Sequence, residues 1–349
     1  MTDPTVDARN RRPRTAAATL HDVALEAGVS LATASRVLNG SARKVADSYR
    51  ERVEAAAAQL GYSANLSAQA TARGTSGIIA LLVADIADPY FGQIAAGVAR
   101  GADEAGLIVT IAITDRDADR EVRLVRALRG QRPRGVILAA SRSTESSDGA
   151  LQREVDALAA NGGRVVAFGP GAGDVRSVVI DNHGGARALA TGLAARGYRE
   201  AIILGGTEGL RTSDDRIAGF VEGFTGAGGS VDRVYRGGFT RDEGERLMTA
   251  ALADGVSAGT IVFGVNDVIA IGALTAVRAA GREVGTDIAL AGFDDIPTSR
   301  DVTPALTTVH APLEELGYQG LRAAVYEEWA VDSDRLLLTV QLRDSTPGL

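Results

Sequence analysis

The sequence predicts an N-terminal all-α helix-turn-helix module joined to an α/β body of parallel sheets in two subdomains. Three observations predict it. Residues 19–40, TLHDVALEAGVSLATASRVLNG, hold two short helical patterns broken by Ala27-Gly28-Val29-Ser30. From Gly77 onward, apolar runs of strand length alternate with segments of helix length, in two successive series. Charge is also divided unevenly: residues 1–73 carry ten Lys+Arg against seven Asp+Glu, a net of +3, and the remainder carries −10. A basic module on an acidic body points to a nucleic-acid partner, although ordinary variation across a protein surface gives a similar imbalance.

Composition sets outer bounds. At 349 residues the chain has room for two or three domains, and at 45% hydrophobic and 23% charged it has the make-up of a globular protein. It contains no cysteine, which excludes disulfides and thiolate metal sites and suits a reducing compartment. No apolar run reaches the length of a membrane span, and MTDPTVDARNRRPRTAAA lacks the apolar core of a secretory signal. A cytoplasmic protein with no membrane partner is expected.

Residues 1–17, with the run RNRRPR from Arg9 to Arg14, read as a disordered basic arm. It either adds backbone or minor-groove contacts on DNA or is simply solvated. A helix-turn-helix domain is expected over 18–62. His21–Ala27 reads as one helix, with Thr19 as its cap, Asp22 at capping-box spacing, and Val23 and Ala27 on one face with Leu20. Gly28 suits the left-handed conformation that ends a helix, and Val29 plugs the turn. Ser30 caps a second helix, Leu31–Leu38, in which Val37 and Leu38 pack inward. A third helix, about Ser48–Leu60, turns Val53, Ala57 and Leu60 inward and stops at Gly61. None of the three is stable alone in water, so they must share one small core. This is the design whose second helix enters the DNA major groove; a generic small helical subdomain is the alternative.

A linker, 63–76, follows within YSANLSAQATARGTSG. The body then runs strand GIIALLVAD, helix 93–105, strand LIVTIAIT, helix 120–129, and strands GVILAA, RVVAFG and SVVID. After Asn182 the rhythm repeats: helix 184–196, EAIILGG, helix 214–226, RVYRGGF, helix 241–253, GTIVFG, helix 266–280 and DIALAGFDD. Such alternation means parallel sheets covered on both faces, and ligands bind beyond the carboxyl ends of their strands. Several side chains lie there: Asp88, Tyr90 and Phe91 in ADIADPYFGQI, Phe239 in GGFTRDEG, Asn266 and Asp267 in VFGVNDVIAIGAL, and Asp294 in LAGFDDIP.

TLHDVALEAGVSLATASRVLNG, followed by RERVEAAAAQLGYSAN, closely resembles the lactose/galactose repressor (LacI/GalR) family of bacterial transcription factors, and the resemblance runs through the body to LRDST near the end. It implies a periplasmic-binding-protein-like (type I) effector and dimerisation domain over 77–349, crossed between subdomains near Ile180, Thr308 and Leu336. The N-subdomain would comprise about 77–179 and 309–335, the C-subdomain about 180–308 and 336–349. The resemblance also implies base readout by Leu31, Ala32 and Arg36, with Arg36 able to bond a guanine edge in bidentate fashion. Ser30, Thr33, Ser35 and Asn39 would contact phosphates. The linker would be a hinge helix, capped by Asn65, spanning Ala68 and wedging the minor groove at Thr71. Here the chain departs from the family: Ala64 stands where Pro is usual, and Thr71 where Leu is usual, so a weaker kink is expected. Simple flexibility, favoured by Gly74 and Gly77, is the alternative.

The same resemblance makes Arg216 in RTSDDRIAGF and Asp294 hydrogen-bonding effector residues and Phe239 a stacking aromatic. Aromatic faces with Asp and Arg forks suit a sugar, whose C–H faces stack while its hydroxyls need donors and acceptors. A nucleobase could use the same groups. Phe91 could instead be core, Asp267 a helix cap and Asp294 a turn residue. Asp181-Asn182 in VVIDNHGGA matches a motif at the subdomain crossover and suits an interdomain or dimer-facing role.

No chemistry of catalysis is visible. DRDAD, Asp115 to Asp119, lacks the sixth-position Gly and twelfth-position Glu of a calcium loop. GAGD and GAGG are too short for a phosphate loop, the three histidines lie in separate segments, and there is no Gly-x-Ser-x-Gly. Neither metal nor cofactor is expected. The expectation is a homodimeric regulator, a repressor, that binds palindromic double-stranded operator DNA under allosteric control of a small-molecule effector, a sugar. A solute-binding protein without a regulatory role is the alternative from another class.

Overall fold

The computed structural model describes residues 18–38, 45–63, 75–140, 149–169 and 175–349. They form two compact units that divide at Arg73/Gly74.

The first unit is three short helices, α1 (Leu20–Glu26), α2 (Leu31–Leu38) and α3 (Asp47–Leu60). Thr19 and Asp22 form the capping box. Gly28 sits at φ 60°, and Gly61 ends α3 at φ 59°. Ser30 Oγ accepts from Thr33 N at 3.1 Å. The core is Val23, Ala24, Ala27, Ala34, Val53, Ala56 and Ala57, with Val37, Leu38 and Leu60 half-buried against it. Five of those seven core residues are alanines that close the gaps between the helices. The sequence pattern had pointed to Val37 and Leu38, but Ala34 is the fully buried residue of α2.

The second unit holds two parallel sheets. The first contains β1 (Ile78–Val83), β2 (Ile108–Ile113), β3 (Gly135–Leu138), β4 (Arg164–Phe168) and β5 (Arg176–Val178), in the order β2-β1-β3-β4-β5. The second contains β6 (Glu200–Gly205), β7 (Ser230–Arg236), β8 (Thr260–Gly264) and β9 (Ile288–Ala291), in the order β7-β6-β8-β9. Central strands are buried over nearly their whole length, as expected of sheets covered on both faces, while the edge strands β2 and β7 have no fully buried residue. In both sheets the order reverses direction beside the first strand, and the crevice beyond such a switch point is where ligands bind.

Between the strands lie α4 (Pro89–Glu104), α5 (Ala118–Arg129), α6 (Ala150–Ala159), α7 (Asn182–Ala195), α8 (Arg211–Gly226), α9 (Arg241–Ala253), α10 (Asp267–Ala279) and α11 (Thr298–Asp301). Late elements return: β10 (Thr308–His310), α12 (Leu313–Val325) and β11 (Thr339–Gln341), with β10 and β11 paired antiparallel. Helix α12 packs along α4 and against the first sheet. The approach is close enough that a Cβ on Gly97 would meet Glu314 O at 1.8 Å, and one on Gly317 would meet Ile94 O at 2.1 Å. Isolated bridges Ala291↔Thr307 and Asp294↔His310 tie β10 to the end of the second sheet.

Helix α4 starts at Pro89, not near Gln93, because Asp88 Oδ1 accepts from Tyr90 N and caps it. The sequence reading also passed over α6, α12, β10 and β11. No helix among the described residues is long and apolar enough to cross a membrane.

Candidate functional site

In the first unit, the turn fixes what α2 exposes. Val29 N bonds to Ala24 O at 3.0 Å, closing the loop over Gly28. With Ala34 turned into the core, the residues at positions 31, 32 and 36 face outward. Leu31 is 49% exposed, and Ala32 and Arg36 are exposed as well. Ser30 and Thr33 share a hydrogen bond of 2.9 Å between their hydroxyls at the start of the helix. Ser35 is half-buried. On α3, Tyr49 is exposed and carries the Arg52 guanidinium 5.1 Å from its ring centroid. Asn39, Asn65, Ala68, Thr71 and the Arg9–Arg14 arm lie outside the described residues.

In the second unit, the candidate side chains meet beyond the carboxyl ends of both sheets. Arg216, on α8, is 2% exposed and anchored on three sides. Its Nη2 donates to Asp294 Oδ1 at 2.7 Å, its Nη1 to Val265 O at 2.8 Å, and its Nε to Asn182 Oδ1 at 2.9 Å. The Phe293 ring lies 3.8 Å from the guanidinium carbon. Five N–H donors in a rigid fork allow such fixing while others remain for a ligand. Asn182, assigned from the sequence to an interdomain or dimer-facing role, is thus a support for Arg216, and Asp181 caps α7 through Gly184 N.

Asp294 sits at φ 109° and Asp295 at φ 56°, two successive non-glycine residues in left-handed backbone. Such strain persists only where the surroundings hold it. Asp294 N and O both bond to the β10 segment, at Val309 O and Ala311 N. Asp295 is held by Arg343 Nη2 at 2.5 Å, Arg300 Nη2 at 2.8 Å and His310 Nδ1 at 3.1 Å. Burial raises the Asp295 carboxyl, but these bonds outweigh it and hold the group well below the usual range. Burial dominates for Asp294, whose carboxyl is pushed up to about 6 despite Arg216.

Asp88 is buried too, and burial raises its carboxyl, with Arg116 and Arg216 pulling the other way. Tyr90, half-buried, lies within the same field: burial raises its phenol, and Asp294 adds to the rise. Phe239, half-buried, stands at the end of β7 with the Arg116 guanidinium 4.5 Å from its ring centroid. Asp88, Tyr90, Arg216, Phe239 and Asp294 are therefore brought together.

Three expected residues are placed otherwise. Phe91 is 3% exposed and belongs to the core beneath the first sheet, because the earlier start of α4 turns it onto the inner face. It meets Tyr90 edge-on at 5.0 Å. Asn266 caps α10 through Ile269 N. Asp267 is fully buried, with one oxygen on Ile296 N at 2.9 Å and the other on Thr308 Oγ1 at 2.6 Å. Its carboxyl is raised by burial. Arg116 and the Asn182 support were not found from sequence. Arg116 had a legible signal, since it follows LIVTIAIT at a strand's carboxyl end. No cluster of His, Cys, Asp and Glu suited to a metal occurs among the described residues.

Comparison with known proteins places this arrangement. Residues 19–65 match the family described as bacterial regulatory proteins, lacI family, and residues 190–346 match a periplasmic binding protein-like domain. The HTH-type transcriptional regulator DegA of Bacillus subtilis is 30% identical over 313 residues, 88% of this chain and 90% of DegA. The lac repressor dimer bound to operator and the anti-inducer ONPF has a TM-score of 0.80 at 26% identity, over 95% of this chain and 100% of that one. A complex of the transcriptional regulator CelR with cellobiose has a TM-score of 0.65 at 30% identity, over 94% of this chain and 99% of that one.

Proposed function

Because the chain belongs to the lacI family of bacterial regulatory proteins, we propose that it is a cytoplasmic transcriptional repressor that binds a palindromic operator as a homodimer and responds to a sugar held between its two sheets. The observation that carries the reading is the exposed face of α2. A capped, glycine-ended turn sets Leu31, Ala32 and Arg36 outward on a helix whose opposite face is packed. A helix presented in this way fits the major groove. Arg36 reads a guanine edge, Leu31 and Ala32 contact thymine methyls, and Ser30, Thr33, Ser35 and Asn39 lie against phosphates. Asn65, Ala68 and Thr71 form the hinge against the minor groove. The domain limits are those given above: 18–62 for DNA, 63–76 for the hinge, and 77–349 for effector and partner subunit.

The effector is held by Asp88, Tyr90, Arg216, Phe239 and Asp294. Asn266 and Asp267 shape the site from beneath, and Phe91 backs Tyr90. The mixture of an aromatic face, a guanidinium and carboxylates supports a polyol ring, and the cellobiose bound by CelR supports the same class. Two symmetric subunits reading two half-sites follow from dimer symmetry.

The test is selection of duplexes from a random library by the full chain, beside thermal shift with a panel of sugars that includes cellobiose. An enriched inverted repeat supports the dimeric reader; a single asymmetric site would overturn it. A bound sugar at a hundredfold its Kd adds about 2.7 kcal/mol of stability. A panel in which only nucleobases shift the melting would replace the sugar reading and leave the DNA reading standing.

A further inference from the structure

The contact between Arg116 and Phe239 joins the two sheets. Arg116 follows β2 of the first sheet, and Phe239 follows β7 of the second. Each end is fixed to its own half. Asp115 and Arg116 are both left-handed, at φ 53° and 57°. Thr114 N bonds to Val83 O at 2.8 Å and Asp115 N to Ala84 O at 3.0 Å, pinning the loop to the end of β1. Asp117 closes the loop by capping α5 through Arg120 N. On the other side, Thr240 caps α9, and Gly238 N donates to Glu243 Oε2 at 3.0 Å. The Phe239 ring rests against Gly206, where a Cβ would come within 2.2 Å of it. Two rigid loops of non-regular backbone thus hold a guanidinium over an aromatic face, 4.5 Å from the centroid.

The surroundings make this contact more than a chance touch of surface side chains. The guanidinium is partly desolvated, which lowers its pKa, while Asp88 and Asp85 of the first half oppose that fall. An arginine stays charged in proteins, so the cation persists over the ring. Such pairs strengthen when water is excluded.

We infer that Arg116 latches the cleft shut in the unliganded chain by stacking on Phe239, and that a ring entering the cleft must displace a guanidinium to use that face. The latch depends only on the chain; the competition for the ring face rests on the sugar reading of the cleft. Loss of the contact shifts the balance of closed and open forms by roughly tenfold.

The experiment is pulsed electron resonance on the unliganded full chain. The sequence has no cysteine, so Ala127→Cys on α5 and Glu245→Cys on α9 give unique exposed label sites on the two halves. Dilution with excess unlabelled chain leaves pairs within one subunit. The expected result is a single short distance in the parent. Arg116→Asn, chosen because asparagine tolerates left-handed backbone, moves the distribution to longer and broader values. Phe239→Leu does the same, and the double variant does no more than either. Superimposable distributions, or effects of the two variants that add, would overturn the latch. If Arg116→Asn fails to fold, Arg116→Lys decides: a compact ammonium on the ring gives an intermediate shift, and no shift at all removes the proposal.

Discussion

Arg216 and Asp294 form a single buried pair that bears on stability and, in the proposed site, on recognition. Their side chains are 2% and 4% exposed, so removing one leaves the other charged and unpaired. Asp294→Ala is expected to cost about 3–5 kcal/mol in denaturant unfolding and to abolish the sugar response while operator binding is retained. Superimposable sugar titrations of variant and parent would remove Asp294 from the site. The same carboxyl gives a pH signature. Its folded value of about 6 lies above the ordinary 3.8, so the folded chain takes up that proton first. Stability attributable to this group therefore rises as the pH falls from neutrality through about 6, and the gain levels off below 3.8. Asp294→Asn cannot titrate, so parent-minus-variant stability should climb over that window; a flat difference would contradict it. In the first unit, Arg36→Ala is expected to weaken operator binding by roughly 1–3 kcal/mol and to relax preference at one base pair per half-site, as read by competition against substituted operators. Arg216 and Asp294 were legible because their segments carry a recognisable motif. Arg116 had its place at a strand's carboxyl end as a signal, but its partner, like that of Asn182, depends on which side chain lies across from it.

Among elements, those with chemical punctuation were the readable ones. Thr19, Asp22, Gly28, Ser30 and Gly61 mark the ends of α1, α2 and α3, and each end lies within a residue or two of its expected place. Gly28 can be tested alone. A Cβ there meets nothing within 4 Å, yet φ is 60°, so Gly28→Ala carries a backbone cost only. The loss is expected to be about 1 kcal/mol, measured by thermal unfolding. A loss several times larger would mean that the turn contacts something the glycine leaves room for. Helix α12 escaped notice for the converse reason. Its glycines at 317 and 320 lower helix propensity, and they are present because Ile94 and Phe168 pass where side chains would stand. Likewise Phe91 reads as a cleft aromatic until Pro89 is recognised as the first residue of α4.

At the scale of the whole molecule, alternation of strands and helices was enough to predict two parallel sheets. The returns near Thr308 and Leu336 came only from the resemblance, because three-residue strands such as β10 and β11 carry too little pattern to be read directly. If a sugar changes operator affinity, linkage requires that operator change sugar affinity by the same factor, on the order of 5–150-fold. Titrating the sugar with and without a selected operator duplex checks this, and unequal factors would exclude simple two-site coupling. The late segment has a further consequence, for synthesis. Helix α12 lies along α4 and the first sheet, β10 bridges to the end of the second, and Leu349 N bonds to Arg196 O. Chains emerge from the ribosome N-terminus first. The small helical unit and the second sheet with its helices can therefore close early, while one face of the first sheet waits for the late segment that carries α12. A nascent chain stalled before α12 would carry a finished DNA-reading head while one apolar face of the first sheet lay bare, making it a target for chaperones and proteases before it could occupy an operator.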